Sequence, residues 1–220
     1  MYLYVPNSLR PDPAILVAAH ECAENGPAFY ETTGFSTLAD EYGFIVIYPS
    51  ASQPGGCWDT SSGGMMAAVM LGDYPDVFAA GAIFMGVPFG CNLACTSIPT
   101  QMSPGEWGAV ARNADPGYHG PRPRVQIWHG TADTHVLYVN FGQEINQWTD
   151  VLGLSQTPLA TDHPEPAWTR TVYGPNKNDI EVEAYSIQGA GHYLPEAGME
   201  AYVTQFFGLS PGPSAGPGHS

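Results

Sequence analysis

Residues 14–48 read AILVAAHECAENGPAFYETTGFSTLADEYGFIVIY, and the order of apolar runs in that stretch decides the fold. Residues 14–19 are a continuous apolar run that stops at His20-Glu21; residues 43–48 are a second, stopped by Pro49. Short apolar runs without alternation suit central strands of a parallel sheet covered on both faces. Between them Phe35, Leu38, Ala39 and Tyr42 recur at i, i+3, i+4 and i+7, which is helical spacing. Strand, helix, strand in this order is a βαβ unit, the building block of an α/β protein.

Outward from this unit the alternation continues. Residues 2–5 alternate as a strand, and Pro6, Pro11 and Pro13 mark the loop that follows. Residues 65–71 form a helical apolar stretch, 78–84 a strand, and 106–113 a helix led by the capping pair Ser103-Pro104. A strand at 124–128 ends in His129-Gly130, and Phe141, Ile145, Trp148 and Leu152 repeat at helical spacing. Residues 180–187 alternate as a strand, and 201–207 form a last helix. The expectation is an α/β fold with a mostly parallel sheet and helices on both faces. One domain is expected over 1–209, followed by a Pro/Gly/Ser-rich tail or linker at 210–220.

Composition narrows the function. Six Lys and Arg stand against 21 Asp and Glu, a net charge of −15, which disfavours nucleic acid and anionic membranes as partners. A neutral substrate such as a polysaccharide suits that balance better. No apolar run reaches membrane-spanning length, and the first residues read as a strand rather than a signal peptide. Four cysteines, Cys22, Cys57, Cys91 and Cys95, permit two disulfides in three connectivities, and their spacing fits no zinc site. Disulfides would place the protein outside the cytosol. His20-Glu21 is not a zinc helix, because position 24 is Glu24 where a second histidine would be needed. Neither a metal nor a cofactor is expected, and the chain is expected to act as a monomer. Trp58, Trp107, Trp128 and Trp148 read as core aromatics, and His129 as a hydrogen-bonded structural histidine.

Three polar clusters fall at strand or helix ends, where chemistry sits in open α/β sheets. They are Thr60-Ser61-Ser62-Gly63-Gly64 before a helix, His129-Gly130-Thr131-Ala132-Asp133 after a strand, and Gly189-Ala190-Gly191-His192 after another. A serine hydroxyl is a poor nucleophile until an imidazole accepts its proton, and the imidazole needs a carboxylate to hold its tautomer. Ser61, Asp133 and His192 occur in the chain order of α/β-hydrolases, with glycines that a nucleophile turn requires.

Longer motifs carry a resemblance. They are MYLYVPNSL (1–9), AILVAAHEC (14–22), LADEYGFIVIYP (38–49), Cys57-Trp58-Asp59, SSGGMM (61–66), YPDVFAA (74–80), VPFGC (87–91), PRPRVQIWHGTADT (121–134) and WTRTVY (168–173). In these the chain resembles the fungal acetylxylan and feruloyl esterases of carbohydrate esterase family 1, relatives of polyhydroxybutyrate depolymerases. The resemblance implies an α/β-hydrolase and a secreted serine carboxylesterase that removes acetyl or feruloyl groups from xylan-type polysaccharide. It implies Ser61 as nucleophile, His192 as base and Asp133 as acid. It further implies the backbone N–H groups of Cys22 and Ser62 as oxyanion donors, and the disulfides Cys22–Cys57 and Cys91–Cys95.

One departure stands out. Relatives carry a helix and a strand between their Cys-Trp-Asp and the nucleophile, whereas here Asp59 runs directly into Thr60-Ser61. Eleven residues separate the second strand from Thr60, fewer than the dozen or more of a parallel crossover. The strand that feeds Ser61 is therefore expected to be missing, leaving its two neighbours with unpaired edges. The alternative reading that follows is a catalytically impaired relative or shortened gene product.

Overall fold

The computed structural model describes residues 1–58, 62–91, 93–98, 100–193 and 198–210. The backbone divides into two compact units, Met1–Gly56 with Pro195–Ser220, and Cys57–Leu194.

The first unit holds a three-stranded sheet in the order β1 (Tyr2–Tyr4), β3 (Ile45–Tyr48), β2 (Ile15–Val17), with β1 antiparallel and β2 parallel to β3. Two helices, not one, bridge β2 and β3: α1 (Gly26–Thr32) and α2 (Phe35–Tyr42). The sequence pattern shows only the second, because α1 is short and is set by its cap: Asn25 Oδ1 accepts from the Ala28 N–H at 3.1 Å and Pro27 stands in the first turn. Gly43, left-handed at φ 72°, ends α2. The last helix, α6 (Met199–Phe206), is tied to α2 through the Gly34 N–H, which donates to Glu200 Oε1 at 3.0 Å. β2 pairs only with β3 among the described residues, and Ile15 and Val17 are 61% and 43% exposed. That is how a strand built for a sheet interior behaves when one neighbour is missing.

The second unit holds five strands in the order β4 (Ala80–Phe84), β5 (Arg124–Gly130), β8 (Val182–Ile187), β7 (Trp168–Tyr173), β6 (Ala160–Asp162). β4, β5 and β8 run parallel; β7 and β6 are antiparallel additions that the sequence reading did not identify as strands. Helices α3 (Gly63–Asp73), α4 (Pro104–Arg112) and α5 (Val139–Val151) complete the unit. α4 begins with a full capping box: the Ser103 N–H donates to Glu106 Oε2 at 2.8 Å and the Glu106 N–H to Ser103 Oγ. Between β3 and α3 the described residues make turns and one bridge residue, Trp58, and no strand. β4 likewise has a single strand partner among the described residues, β5.

The core of this unit forms around Ile83, Val125, Ile127, Trp148, Val182 and Ala184, all fully buried. Each large apolar side chain so buried contributes roughly 1.5–3 kcal/mol. On the sheet, Trp128 stacks between Phe84 (5.6 Å) and Tyr185 (3.8 Å), with Trp168 edge-on. Its indole N–H donates to Gln126 Oε1, Gln126 donates on to Glu183, and Arg170 pairs with Glu183 and Asp162. Trp107, Trp128 and Trp148 are thus core residues; Trp58 is partly exposed.

Candidate active site

β5 and β8 lie side by side and in parallel, so the loops leaving their C-terminal ends emerge together. Three hydrogen bonds zip these loops: the Thr131 N–H to the Ile187 carbonyl, the Ala132 N–H to the Ala190 carbonyl, and the Gly189 N–H to Thr131 Oγ1, all 2.8–2.9 Å. Gly130 permits the approach, because a Cβ there would sit 2.3 Å from the Ala190 oxygen. The zipper brings Asp133 and His192 together.

Asp133 is buried and every contact of its carboxylate is directional. Oδ1 accepts the backbone N–H groups of His135 (2.8 Å) and Val136 (2.9 Å), which fixes the plane of the group. Oδ2 is then aimed at His192 Nδ1, 2.7 Å away. An anionic acceptor at that distance holds the proton on Nδ1 and leaves the Nε2 lone pair available as a base. This hydrogen bond is the one expected from the sequence.

Two further histidines surround the pair. His129 is fully buried, its Nε2–H donating to the Val136 carbonyl at 2.9 Å, with Asp133 Oδ2 at 3.5 Å. Burial pulls its pKa below the ordinary imidazole value, so it stays neutral and leaves Asp133 to His192. His129 is therefore structural, as the sequence suggests. His135, on the exposed side, places its ring 5.4 Å from that of His192. Its neighbouring Asp133 offers no sequence signal for that ring contact.

Ser61 lies outside the described residues, as do Asp59 and Thr60. Ser62 is described: it is the N-cap of α3, in extended conformation at φ −89° and ψ 175°, and its side chain makes no capping bond. Two residues later, Gly64 allows α3 to press on β4, since a Cβ there would meet the Phe84 carbonyl at 2.1 Å. The start of α3 is therefore held from below by strand backbone.

Cys22 and Cys57 are each disulfide-bonded. Cys91 and Cys95 are bonded to each other across a 3₁₀ turn, and no described cysteine is free. His20, fully buried two residues before Cys22, donates from Nδ1 to the Glu21 carbonyl (2.6 Å) and accepts the Ala51 N–H at Nε2 (3.1 Å). It anchors the loop after β2. Among the described residues no group of His, Cys, Asp and Glu could hold a metal ion, and no helix is long and apolar enough to cross a membrane.

Sequence reasoning missed Glu144. It is fully buried on α5, neither carboxylate oxygen has a hydrogen-bond partner among the described residues, and burial pushes its pKa well above the usual carboxylate value. Oε1 would lie 2.8 Å from a Cβ at Gly86, a residue that also packs on Gly64 at the start of α3. A carboxyl group whose folded pKa is raised keeps its proton in the folded state after the unfolded chain has lost it. Its contribution to stability therefore declines as pH rises above about 4.3 toward the folded pKa, by about 1.4 kcal/mol per unit at most. Urea denaturation at pH 5 and pH 7.5 should show Glu144→Gln with a flatter pH profile and greater stability than the parent at the higher pH. An unchanged slope would mean that the carboxyl is already charged.

No family model matches the chain. Among individual proteins, it is 37% identical to feruloyl esterase B of Talaromyces stipitatus, over 96% of this chain and 72% of that protein. It is also 37% identical to the acetylxylan esterase of Coprinopsis cinerea, over 95% of this chain and 69% of that one. Among solved structures, an acetyl xylan esterase from Aspergillus awamori superposes with a TM-score of 0.86 at 31% identity, covering 95% of this chain and 93% of its own. The alignment with the Talaromyces protein runs over 264 positions, more than the 220 residues of the whole chain. Dozens of that relative's residues therefore have no counterpart here.

Proposed function

Because the chain belongs to the family of fungal acetylxylan and feruloyl esterases, we propose that it hydrolyses acetyl or feruloyl esters of xylan-type polysaccharide through Ser61, His192 and Asp133. The observation that carries this reading is the 2.7 Å hydrogen bond from His192 to a carboxylate fixed by two backbone donors.

In the first half-reaction His192 Nε2 takes the Ser61 proton as Oγ adds to the ester carbonyl. The resulting oxyanion is met by the backbone N–H groups of Ser62 and Cys22. The imidazolium, stabilised by Asp133, then gives its proton to the departing sugar hydroxyl, and an acyl-serine is left. Water, deprotonated by the same Nε2, adds to the acyl carbonyl and releases the acid with Ser61 restored. Each oxyanion donor is worth on the order of 10²–10³ in rate. No step needs a metal or an organic cofactor.

Residues 1–209 serve as the esterase domain and 210–220 as a tail in this reading. The protein works outside the cell as a monomer, in keeping with four cysteines of which none is free among the described residues. A fluorophosphonate probe labels only an activated serine. Labelling of the purified chain, lost in Ser61→Ala and in His192→Ala, is the expected result. Labelling that survives Ser61→Ala would assign the nucleophile to another residue.

A further inference from the structure

We propose that a second site, a cleft at the N-terminal ends of β5 and β8, binds the carboxylate of an acidic sugar, a uronic acid, on the guanidinium of Arg122. The chain has only six Lys and Arg, yet Arg112, Arg122 and Arg124 all line this one cleft of about 710 Å³. That volume lies within the range of about 300–1,000 Å³ usual for small-molecule sites. In a protein of net charge −15, half of the cations in one depression calls for a physical reason.

The three arginines are not equivalent. Arg112 is neutralised by Asp150, 2.8 Å away, and Arg124 lies close enough to Glu181 to offset part of the rise that burial and Asp179 impose on that carboxyl's pKa. Arg122 differs: its NH1 is buried and has no hydrogen-bond partner among the described residues. Burial, and then the charge of Arg112, pull its pKa below the ordinary guanidinium value, so the cation is held there against its own desolvation. Its guanidinium lies over the Tyr118 ring, 5.6 Å from the centroid, and the Tyr118 hydroxyl is fixed by donating to the Pro121 carbonyl at 2.6 Å. Arg122 lines the cleft with a planar guanidinium placed over a ring, and a planar, paired donor matches a carboxylate.

The remaining lining selects among anions. Asp179 and Glu181 face the same cleft and would repel sulfate or phosphate. A pyranose carrying a carboxylate satisfies both halves, because its hydroxyls donate to the acidic side chains while its carboxylate accepts from Arg122. Neutral xylose leaves the guanidinium unmet. The cleft is separate from the catalytic pair: Arg124 opens β5, whereas Asp133 follows its far end, a strand length of roughly 20 Å away. Placing the uronate on a xylan chain rests on the esterase reading above; recognition of the uronate itself does not.

The test uses the whole chain and D-glucuronate, D-xylose and sodium sulfate as probes in titration calorimetry and saturation-transfer NMR. Glucuronate is expected to bind with a dissociation constant on the order of 1 mM, with xylose and sulfate at least tenfold weaker. Arg122→Gln should lose at least tenfold in glucuronate affinity while hydrolysing 4-nitrophenyl acetate like the parent. Asp179→Asn, a variant that keeps the guanidinium, should weaken glucuronate and strengthen sulfate. Equal binding of sulfate and glucuronate, no glucuronate binding, or binding indifferent to both substitutions would each overturn the proposal. Turnover of the aryl acetate by the same samples reports separately on the esterase reading.

Discussion

Asp133→Asn is expected to slow fluorophosphonate labelling and 4-nitrophenyl acetate turnover by about 10³–10⁴-fold while leaving the fold unchanged. The size of the effect follows from the division of labour between the two carboxylate oxygens. Oδ1 accepts two backbone N–H groups, so the asparagine carbonyl oxygen will take that place. The amide NH₂ is then presented to His192 Nδ1, where a carboxylate oxygen stood. A donor facing Nδ1 forces the imidazole proton onto Nε2, the atom that must act as base. The fold has no reason to change, since Asn keeps the volume and the backbone bonds. Circular dichroism and the rate measured on one preparation check both halves; a loss below tenfold would mean that Asp133 does not orient the base.

The second large effect concerns the chain as it stands. Its turnover of 4-nitrophenyl acetate is expected to fall at least on the order of 10² below that of a longer relative such as the Talaromyces feruloyl esterase, measured side by side. A displacement of about 1 Å at a reacting atom already costs that much. Here no strand lies between β3 and α3 among the described residues, where β2 and β4 each have one strand partner. Relatives are expected to aim the nucleophile with a strand at this point. Turnover equal to the relative's, and abolished by Ser61→Ala, would show that the start of α3, braced on β4 through Gly64, suffices to aim the nucleophile.

How much of this was legible beforehand depends on where the signal lies. The βαβ unit at 14–48, the cap of α4 and the strand ending at His129-Gly130 were readable because apolar periodicity and capping are local properties. β6 and β7 were not: Ala160–Asp162 is three residues long, and Trp168-Thr-Arg-Thr-Val-Tyr173 shows its strand character only once Arg170 finds Glu183 across the ladder. α1 hid behind Gly26-Pro27, which reads as a turn until the Asn25 cap is seen. In the site, Asp133 and His192 were singled out by order and by their place after strands, and their side chains meet at 2.7 Å. Glu144 escaped because an acidic residue on an amphipathic helix looks like any surface carboxylate; only packing reveals that no described residue pairs with it. The clustering of half the Lys and Arg residues in one cleft is likewise a tertiary fact, spread over residues 112–124 and joined by Glu181 from a distant strand edge.

The zipper between the loops after β5 and β8 has an evolutionary consequence. Asp133 and His192, the proposed acid and base, are held together by bonds that lie wholly within 130–192. A lineage that loses the segment feeding the serine therefore keeps its proton-handling half assembled. Such a loss is cheap to reverse: one insertion between Cys57 and Ser61 that restores a helix and a strand would meet a base already in the correct tautomer. Selection for recovered hydrolysis in a library of inserts at that junction should return active clones without compensating changes at residues 130–133 or 189–192.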